Sequence, residues 1–187
     1  MMTNITIEPL SKETLDDAVR AAEKVFPYED TLFNLTKPGY AFHVSLMSKV
    51  VKKCLTRLVG ITSLNYFVAL DGTEQENKRV VGFSGIYIYN KDEKEAVWGA
   101  WSGVDSGYRD RGIGKMLFRN TLEKGIETGK EYFRLYTTTH PNEDRAKEIY
   151  KKLGFQQFKE EDGKNGVRIL YMQAKMEDLK RNMHLLE

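Results

Sequence analysis

The segment Arg109–Lys115 has the residue types of a loop that binds phosphate groups. Three cations and two glycines, Gly112 and Gly114, lie here between an apolar stretch at 96–104 and residues with helical spacing. Because the first amide groups of a helix have no partner within it and point outward at the positive end of the helix dipole, they attract anions. Glycine at this point lets a phosphate approach the backbone. The segment therefore predicts a phosphate site at the N-terminus of a helix.

Two widespread phosphate loops do not fit these residues. Gly107 and Gly112 have the spacing of a Walker A loop, but Ile113 stands where its lysine must be. Gly112 and Gly114 begin a dinucleotide fingerprint, but Leu117 occupies the place of the third glycine. The pattern that remains, Arg-x-x-Gly-x-Gly after a strand, resembles the acyl-CoA pyrophosphate loop of the GCN5-related N-acetyltransferases.

A second segment strengthens this resemblance. Asn142–Phe155 matches the family's Asn-x-x-x-Ala-x-x-x-Tyr-x-x-x-Gly-Phe helix at the expected distance beyond the loop, with Ala146 and Tyr150 at the alanine and tyrosine positions. The two motifs and the strands around them cover roughly residues 80–173, about half of the chain. On these residues the chain is identified as a member of the family.

The resemblance implies an α/β fold with a mixed, mainly antiparallel central sheet, helices on both faces, and the element order β-α-α-β-β-β-α-β-α-β-β. Hydrophobic periodicity along the chain agrees with that order. It predicts strands at 5–7, 66–70, 80–89, 96–104 and 132–137, helices at 11–26, 42–60, 112–126 and 142–152, and a final hairpin at 155–158 and 167–174. Beyond a core at 1–175, the charged tail at 176–187 is expected to be frayed or to form a short surface helix.

Length and composition fit one compact domain over 1–187, long enough to bury a core without disulfides or metal, and the resemblance implies that this is an acetyltransferase domain. The formal net charge of +2 gives no nucleic-acid signature. Since the one cysteine, Cys54, cannot form an internal disulfide and no apolar run reaches the length of a membrane span, we expect a cytoplasmic protein without nucleic-acid or membrane partners. No metal site or nucleophilic triad is supported, and His43 and His140 are expected to be structural.

Two tryptophans, Trp98 and Trp101, lie three residues apart in the stretch before the loop. A regular strand would place them on opposite faces of a sheet, so either helices cover both faces or the alternation is broken. Gly99 and Gly103 are natural places for a bulge. The family carries a bulge in this strand, which opens a slot for the pantetheine arm of acetyl-CoA. The resemblance implies that backbone groups near Val104 bind this arm and that an amide just upstream faces the thioester oxygen.

By the same resemblance, the loop residues hold the pyrophosphate of acetyl-CoA; they are Arg109, Asp110, Arg111, Gly112, Ile113, Gly114 and Lys115. The alternative for the two arginines is a solvated surface charge, and for Lys115 a position facing solvent along the helix. Asn142 is expected to contact the pantetheine arm, to cap the helix that it opens, or to do both.

Tyr150 is, by resemblance, the residue that meets the departing CoA thiolate. The alternative is a core aromatic, because Tyr150 shares a helix face with Ala146 and Leu153. Proton donation from a tyrosine with a pKa of about 10 to a thiolate with a pKa of about 8.5 is uphill by about 2 kcal/mol. We therefore predict that Tyr150 stabilises the thiolate through a hydrogen bond.

The base that would deprotonate an amine acceptor stays unassigned. An alkyl ammonium has a pKa of about 10.4, so its deprotonation at pH 7 costs about 4.6 kcal/mol and a base or a chain of waters would help. Glu95 is the nearest carboxylate in sequence, but Trp98 stands where some relatives keep a glutamate. Tyr28, Glu29 and Asp30 lie in the connection that borders the acceptor cleft in this family, where they could bind a cationic substrate or form a solvated turn.

Together the motifs imply an N-acetyltransferase that moves an acetyl group from acetyl-CoA directly to an amine of a small molecule or peptide through a ternary complex. The alternative from another class is a non-catalytic acyl-CoA-binding sensor or regulatory module, because no base is evident. The acceptor stays open between a small amine or antibiotic and a protein N-terminus or lysine. Homodimer formation through sheet edges, which is common in the family, also stays open.

Overall fold

A computed structural model describes residues 4–26, 37–48, 51–52, 54, 60–72, 79–163 and 166–186. The strands are β1 (Ile5–Pro9), β2 (Ile61–Asp71), β3 (Arg79–Tyr89), β4 (Ala96–Gly99), β5 (Gly103–Val104), β6 (Tyr132–Thr138), β7 (Gln156–Asp162) and β8 (Arg168–Lys175). The helices are α1 (Leu15–Val25), α2 (Pro38–Leu46), α3 (Ile113–Glu127), α4 (Asp144–Lys152) and α5 (Met176–Asn182). Short 3-10 turns occupy Asn90–Asp92, Ser106–Tyr108, Pro141–Glu143 and Met183–Leu186.

Within the described residues the strands form one eight-stranded sheet, ordered β1-β2-β3-β4-β6-β8-β7, with β5 also paired to β3. β4 and β6 run parallel, and the other neighbouring pairs run antiparallel. The mixed, mainly antiparallel sheet and the element order agree with the sequence prediction, except that the third strand of the meander is divided into β4 and β5 and that α5 follows the last strand.

Helices cover both faces of the sheet, and each face has its own apolar core. On one face, α1 and α2 bury Ala18 and Phe42 against Phe83 of β3. On the other face, α3 and the C-terminal helices bury Leu122 and Leu179 around Phe133 and other strand residues. Each fully buried large apolar side chain stabilises the fold by roughly 1.5–3 kcal/mol relative to exposure. The sheet is therefore held from both sides, which fixes the positions of its loops.

The second helix is shorter than the sequence predicted. α2 ends at Leu46, and Met47 has extended backbone angles (φ −65°, ψ 159°). The Ser45 hydroxyl donates to the Phe42 carbonyl at 2.7 Å, so a side chain takes up a carbonyl of the last turn. Helical residues resume at Val51 and Lys52, while 55–59 lie outside the described residues.

The C-terminal tail forms α5 and packs into the core. Leu179 is fully buried, and Met176 and Leu186 are nearly so. Asn182 donates from its side-chain amide to the Leu153 carbonyl at 3.2 Å and so joins the tail to the end of α4. The sequence predicted a frayed tail or a short surface helix because charged residues dominate this segment, and that prediction overlooked these three buried apolar residues. Among the helices that the structure describes, none is long and apolar enough to cross a membrane.

Candidate active site

The sheet divides immediately after Trp98. β4 pairs with β6 from Ala96 to Trp98, the last of which lies opposite Arg134. Beyond this point β5 follows β3, whereas β6 continues along β8 as far as Thr138. No described strand fills the space between β5 and the second half of β6. The structure therefore contains a split in the sheet, which we call the sheet split, at the place where the resemblance implied a slot.

A bulge between Gly99 and Gly103 lies at the start of the sheet split and confirms the prediction made from these two glycines. The chain advances four residues from Gly99 to Gly103 while β3 advances three residues, from Ile86 to Phe83. The extra residue reverses the alternation of faces. Gly103 has a further reason to be glycine, because a Cβ there would lie 2.6 Å from Cγ1 of Val25 in α1.

The predicted phosphate loop lies at the N-terminus of α3, beside the sheet split; we call 109–115 the cradle loop. Gly112 caps α3 with a left-handed backbone (φ +79°), and the first helical hydrogen bond runs from the Met116 N–H to the Gly112 carbonyl at 3.1 Å. The amides of Ile113 and Gly114 precede this bond and have no acceptor within the helix. A Cβ on Gly112 would meet no atom within 4 Å, so the space outside the loop is open to a ligand.

Asp105 anchors the loop that leads to the cradle. Its carboxylate accepts the Gly107 N–H at 3.0 Å and forms ion pairs with Lys24 at 3.3 Å and Arg79 at 3.5 Å. Burial alone would raise the pKa of this carboxyl group, but the Gly107 hydrogen bond and the two cations outweigh burial and lower it. The carboxylate thus ties the loop to α1 and β3. Sequence reasoning missed Asp105, although an Asp two residues before a Gly is a common turn signal.

The cations of the cradle loop lie close to its own backbone. The Arg109 Nε donates to the Val104 carbonyl at 3.5 Å, and the Arg111 guanidinium donates to the Gly107 carbonyl at 3.1 Å. Asp110, which has a left-handed backbone (φ +63°), forms an ion pair with Arg145 of α4. Because Arg145 neutralises the Asp110 carboxylate, that charge does not oppose an arriving phosphate. Both loop arginines are exposed, while Lys115 is half-buried.

Asn142 does not cap α4, contrary to the cap that the sequence offered as one role. It lies within the 3-10 turn, and Glu143 occupies the cap position of α4. The His140 Nδ1 instead accepts the Asn142 backbone N–H at 3.2 Å, which fixes the turn and agrees with a structural role for that histidine. The Asn142 side chain is exposed, and its amide makes no hydrogen bond within the described residues. The amide is therefore open to a ligand.

Glu143 fastens the start of α4 to the end of β6. Its carboxylate accepts the Thr138 N–H and the Thr138 hydroxyl, both at 2.8 Å, and also the Thr137 hydroxyl. These bonds hold α4, which carries Tyr150, beside the sheet split. Nothing in the local sequence pattern signalled this role, because it depends on strand and helix meeting in space.

Tyr150 lies half-buried on α4 against aromatic neighbours. Its ring centroid is 5.2 Å from that of Phe118 and 5.7 Å from that of Phe155. Burial and, secondarily, the nearby Glu143 carboxylate raise the pKa of Tyr150 to about 12. The structure shows no hydrogen bond to its hydroxyl within the described residues. Packing and an available hydroxyl therefore occur together, so the two roles considered from the sequence do not exclude each other.

The carboxylates near β4 are already engaged. Asp92 accepts the Trp98 indole N–H at 2.7 Å and forms an ion pair with Arg134 at 3.3 Å. Glu95 pairs with the same guanidinium at 2.8 Å, upstream of the sheet split where β4 still pairs with β6. Neither carboxylate is poised as a base. His43 is exposed on α2, and 28–30, considered from the sequence as a cation site, lie outside the described residues.

The described residues contain no metal cluster or cavity that could be a second candidate active site. No group of three or more His, Cys, Asp or Glu side chains in that part of the chain could hold a metal ion. A cavity of about 340 Å³, bordered by Leu10, Ser45, Tyr66 and Thr128, includes none of the site residues predicted from the sequence. The chemistry-bearing residues instead gather around the sheet split and the cradle loop.

Comparison with known proteins agrees with this geometry. The sequence pattern of the acetyltransferase (GNAT) family matches residues 38–155. No curated protein matches the chain in sequence.

Solved structures share the fold at low identity. Arabidopsis thaliana NAA60 in complex with a bisubstrate analogue is 17% identical, with a TM-score of 0.68 over 92% of this chain and 99% of that chain. The NatC complex bound to Gag peptide and CoA is 14% identical, with a TM-score of 0.65 over 91% of this chain and 98% of that chain. Mutant forms of the spermidine/spermine N-acetyltransferase SpeG from Vibrio cholerae are 13% identical, with a TM-score of 0.62 over 95% of this chain and 98% of that chain.

The family match spans 118 of the 187 residues and includes both the cradle loop and the helix that carries Tyr150. The protein belongs to the GNAT family of acetyltransferases.

Proposed function

We propose that this chain transfers an acetyl group from acetyl-CoA directly to an amine of a small molecule or peptide, in a ternary complex and without a covalent enzyme intermediate. The observation that carries this proposal is the position of the sheet split beside the open N-terminus of α3. A split that reaches through the sheet gives two substrates access to one point from opposite faces. As in the family to which the chain belongs, acetyl-CoA is the cosubstrate.

The cradle loop is the proposed pyrophosphate site. The amides of Gly112, Ile113 and Gly114 would donate to phosphate oxygens, and Arg109, Arg111 and Lys115 would add positive charge. Each charge-assisted hydrogen bond to a phosphate contributes roughly 1.5–3 kcal/mol before solvent screening. Several such bonds suffice to hold the diphosphate, even though the two arginines must leave the carbonyls that they contact in this structure.

The pantetheine arm would follow the sheet split. Backbone groups of Val104 lie on one side of this opening, and the Asn142 amide lies at the turn that follows the opposite strand. The open amide of Asn142 is the group best suited to bind an amide of the arm. Arg109 contacts the Val104 carbonyl, so that carbonyl becomes available when the guanidinium turns to phosphate.

Tyr150 would donate a hydrogen bond to the CoA sulfur as the thiolate departs. With a pKa of about 12, its hydroxyl stays protonated across the neutral range. Full proton transfer to a thiolate with a pKa of about 8.5 would be uphill by about 5 kcal/mol. Tyr150 therefore acts as a hydrogen-bond donor that stabilises the leaving group, and solvent supplies the final proton.

The acceptor amine would lose its proton without help from a dedicated base. The described carboxylates near β4 are held by Arg134 and Trp98, so the amine would lose its proton to water or arrive neutral. The rate should then rise with pH towards the pKa of the acceptor amine. We also propose a cytoplasmic location for the protein, on the same grounds of composition that the sequence offered.

The test is thiol release from acetyl-CoA across a panel of amines, with the acetylated products identified by mass spectrometry. Thiol release that depends on both enzyme and amine supports transfer. Tight binding of acetyl-CoA without thiol release above background for any amine would favour the acyl-CoA sensor instead.

A further inference from the structure

A continuous strip of aromatic rings lies on the α1 and α2 face of the sheet and crosses the sheet split. Trp101, in the bulge, and Tyr136, on β6, lie on opposite sides of the opening, edge to face, with ring centroids 6.5 Å apart. Tyr136 is 6.4 Å from its cross-strand neighbour Tyr171, which is 6.3 Å from Phe158. We call these four residues, Trp101, Tyr136, Tyr171 and Phe158, the aromatic wall.

Two members of the aromatic wall are exposed to solvent. Tyr136 is 41% exposed and Phe158 is 42% exposed. The helices described on this face, α1 and α2, pack mainly against β2, β3 and β5 rather than against β6, β7 and β8. Exposed aromatic residues in a contiguous group are a mark of binding surfaces.

The aromatic wall and the cradle loop approach the sheet split from opposite faces. Trp101 and Tyr171 pack against the core beneath α1 and α2, whereas Tyr150 packs against the core of the other face. A molecule that rests on the aromatic wall can therefore reach the sheet split without crossing the path proposed for acetyl-CoA. This arrangement matches the place of the second substrate in a ternary complex.

The charges around the aromatic wall are balanced. Arg134 lies 5.3 Å from the Phe158 ring and is paired with Asp92 and Glu95. Lys159 lies 5.0 Å from the Tyr171 ring and is paired with Glu161. Lys91 also acts electrostatically on Glu161, so three cations match the three carboxylates. Among the described residues named here, the aromatic wall has no surplus of negative charge to attract a polycation. Its recognition chemistry is apolar.

We infer that the aromatic wall binds the acceptor, and that the acceptor is a primary amine attached next to a large apolar group. This inference rests on the proposed function and narrows its acceptor. Two sources supply the same chemistry: an arylalkylamine, and the α-amine of a peptide whose first side chain is large and apolar. Trp101 and Tyr136 contact the apolar group beside the amine, because they flank the sheet split.

The experiment measures thiol release from acetyl-CoA with five acceptors: 2-phenylethylamine, ethylamine, spermidine, a peptide beginning Met-Leu and a peptide beginning Ser-Glu. We expect kcat/KM for 2-phenylethylamine or for the Met-Leu peptide to exceed the values for ethylamine, spermidine and the Ser-Glu peptide by about tenfold or more. A preference for 2-phenylethylamine indicates that the acceptor is an arylalkylamine, and a preference for the Met-Leu peptide indicates that it is a peptide α-amine. A preference for ethylamine, spermidine or the Ser-Glu peptide would overturn the inference while leaving acetyl transfer intact.

Variants give the second readout. Tyr136→Ala should raise KM for the preferred acceptor about tenfold and leave KM for acetyl-CoA within about twofold, whereas Tyr136→Phe should retain the preference. Leu185→Ala, at an exposed apolar residue outside the aromatic wall, is the matched control and should change neither value. An equal effect of Tyr136→Ala on all five acceptors, or no effect on any, would contradict the inference. If no acceptor releases thiol, the proposed function fails and the inference falls with it.

Discussion

Arg145, in the first turn of α4, forms an ion pair with Asp110 of the cradle loop, so the two segments that flank the sheet split are joined at the surface. Both side chains are largely exposed, at 79% and 72%. An ion pair this exposed contributes at most about 1 kcal/mol to folding. Its larger consequence is electrostatic, because it removes the one negative charge within the cradle loop.

A prediction for ligand affinity follows from this pair. Arg145→Gln should leave thermal stability nearly unchanged but weaken CoA binding by about fivefold, since Asp110 then repels the phosphates. Asp110→Asn is the matched variant, because asparagine also tolerates the left-handed backbone and carries no charge. It should bind CoA as well as or better than the unmodified protein. Calorimetric titration checks both, and equal weakening by the two variants would contradict the account.

Gly112 should be essential for acetyl-CoA affinity. Its left-handed backbone and the open space beside it leave room for phosphate, so Gly112→Leu should raise KM for acetyl-CoA by about tenfold or more. Gly129, just beyond α3, is a control with a similar backbone (φ +69°), and a Cβ there would also meet no atom within 4 Å. Gly129→Leu imposes comparable strain away from the cradle loop. A KM that rises equally in both variants would mean that strain alone is responsible.

Asp105 should stabilise the fold in a pH-dependent manner. Its pKa is lowered in the folded chain, so its contribution is present above the unfolded value of about 3.9 and is lost as the pH falls through the folded value. Asp105→Asn should reduce the free energy of unfolding at pH 7 by about 1–3 kcal/mol. Urea unfolding at a series of pH values should show that the difference between the two proteins shrinks below about pH 4. A difference that is constant from pH 7 to pH 3 would refute an ionised, paired Asp105.

Tyr150 should act on the chemical step and not on cosubstrate binding. Tyr150→Phe keeps the ring packed against Phe118 and Phe155, so stability and KM for acetyl-CoA should change little. Loss of one hydrogen bond to the thiolate should lower kcat by about ten- to a hundredfold. Because the pKa of Tyr150 is raised to about 12, its titration should leave no mark on the pH–rate profile of the unmodified enzyme between pH 6 and pH 10. An unchanged kcat in the variant would leave Tyr150 as a packing residue only.

Features that depend on local sequence were predictable. The cradle loop follows from glycines and cations at a helix start, and the bulge follows from Gly99 and Gly103 together with the odd spacing of Trp98 and Trp101. In the structure the bulge places both tryptophans on the same face of the sheet. Hydrophobic periodicity along the chain, which matched the order implied by the family resemblance, also predicted the element order.

Features that depend on tertiary contacts were not predictable. The His140 ring fixes the turn before α4, so Asn142 is not the helix cap that its residue type suggested. The edge-to-face pair Trp101 and Tyr136 comes from two strands that meet only once the sheet forms. Likewise, α2 ends at Leu46 because Met47 has an extended backbone, although apolar spacing continues along the sequence. Hydrophobic periodicity does not encode the backbone angles of a single residue, so the sequence did not predict this helix end.

The central claim is that the amides at the N-terminus of α3 bind the diphosphate of coenzyme A, and calorimetric titration of the folded 187-residue chain with CoA tests it most directly. The account predicts saturable binding of one CoA per chain that weakens as the salt concentration rises and is largely lost in Gly112→Leu. Absence of binding to the folded protein, or affinity that Gly112→Leu leaves unchanged, would contradict it.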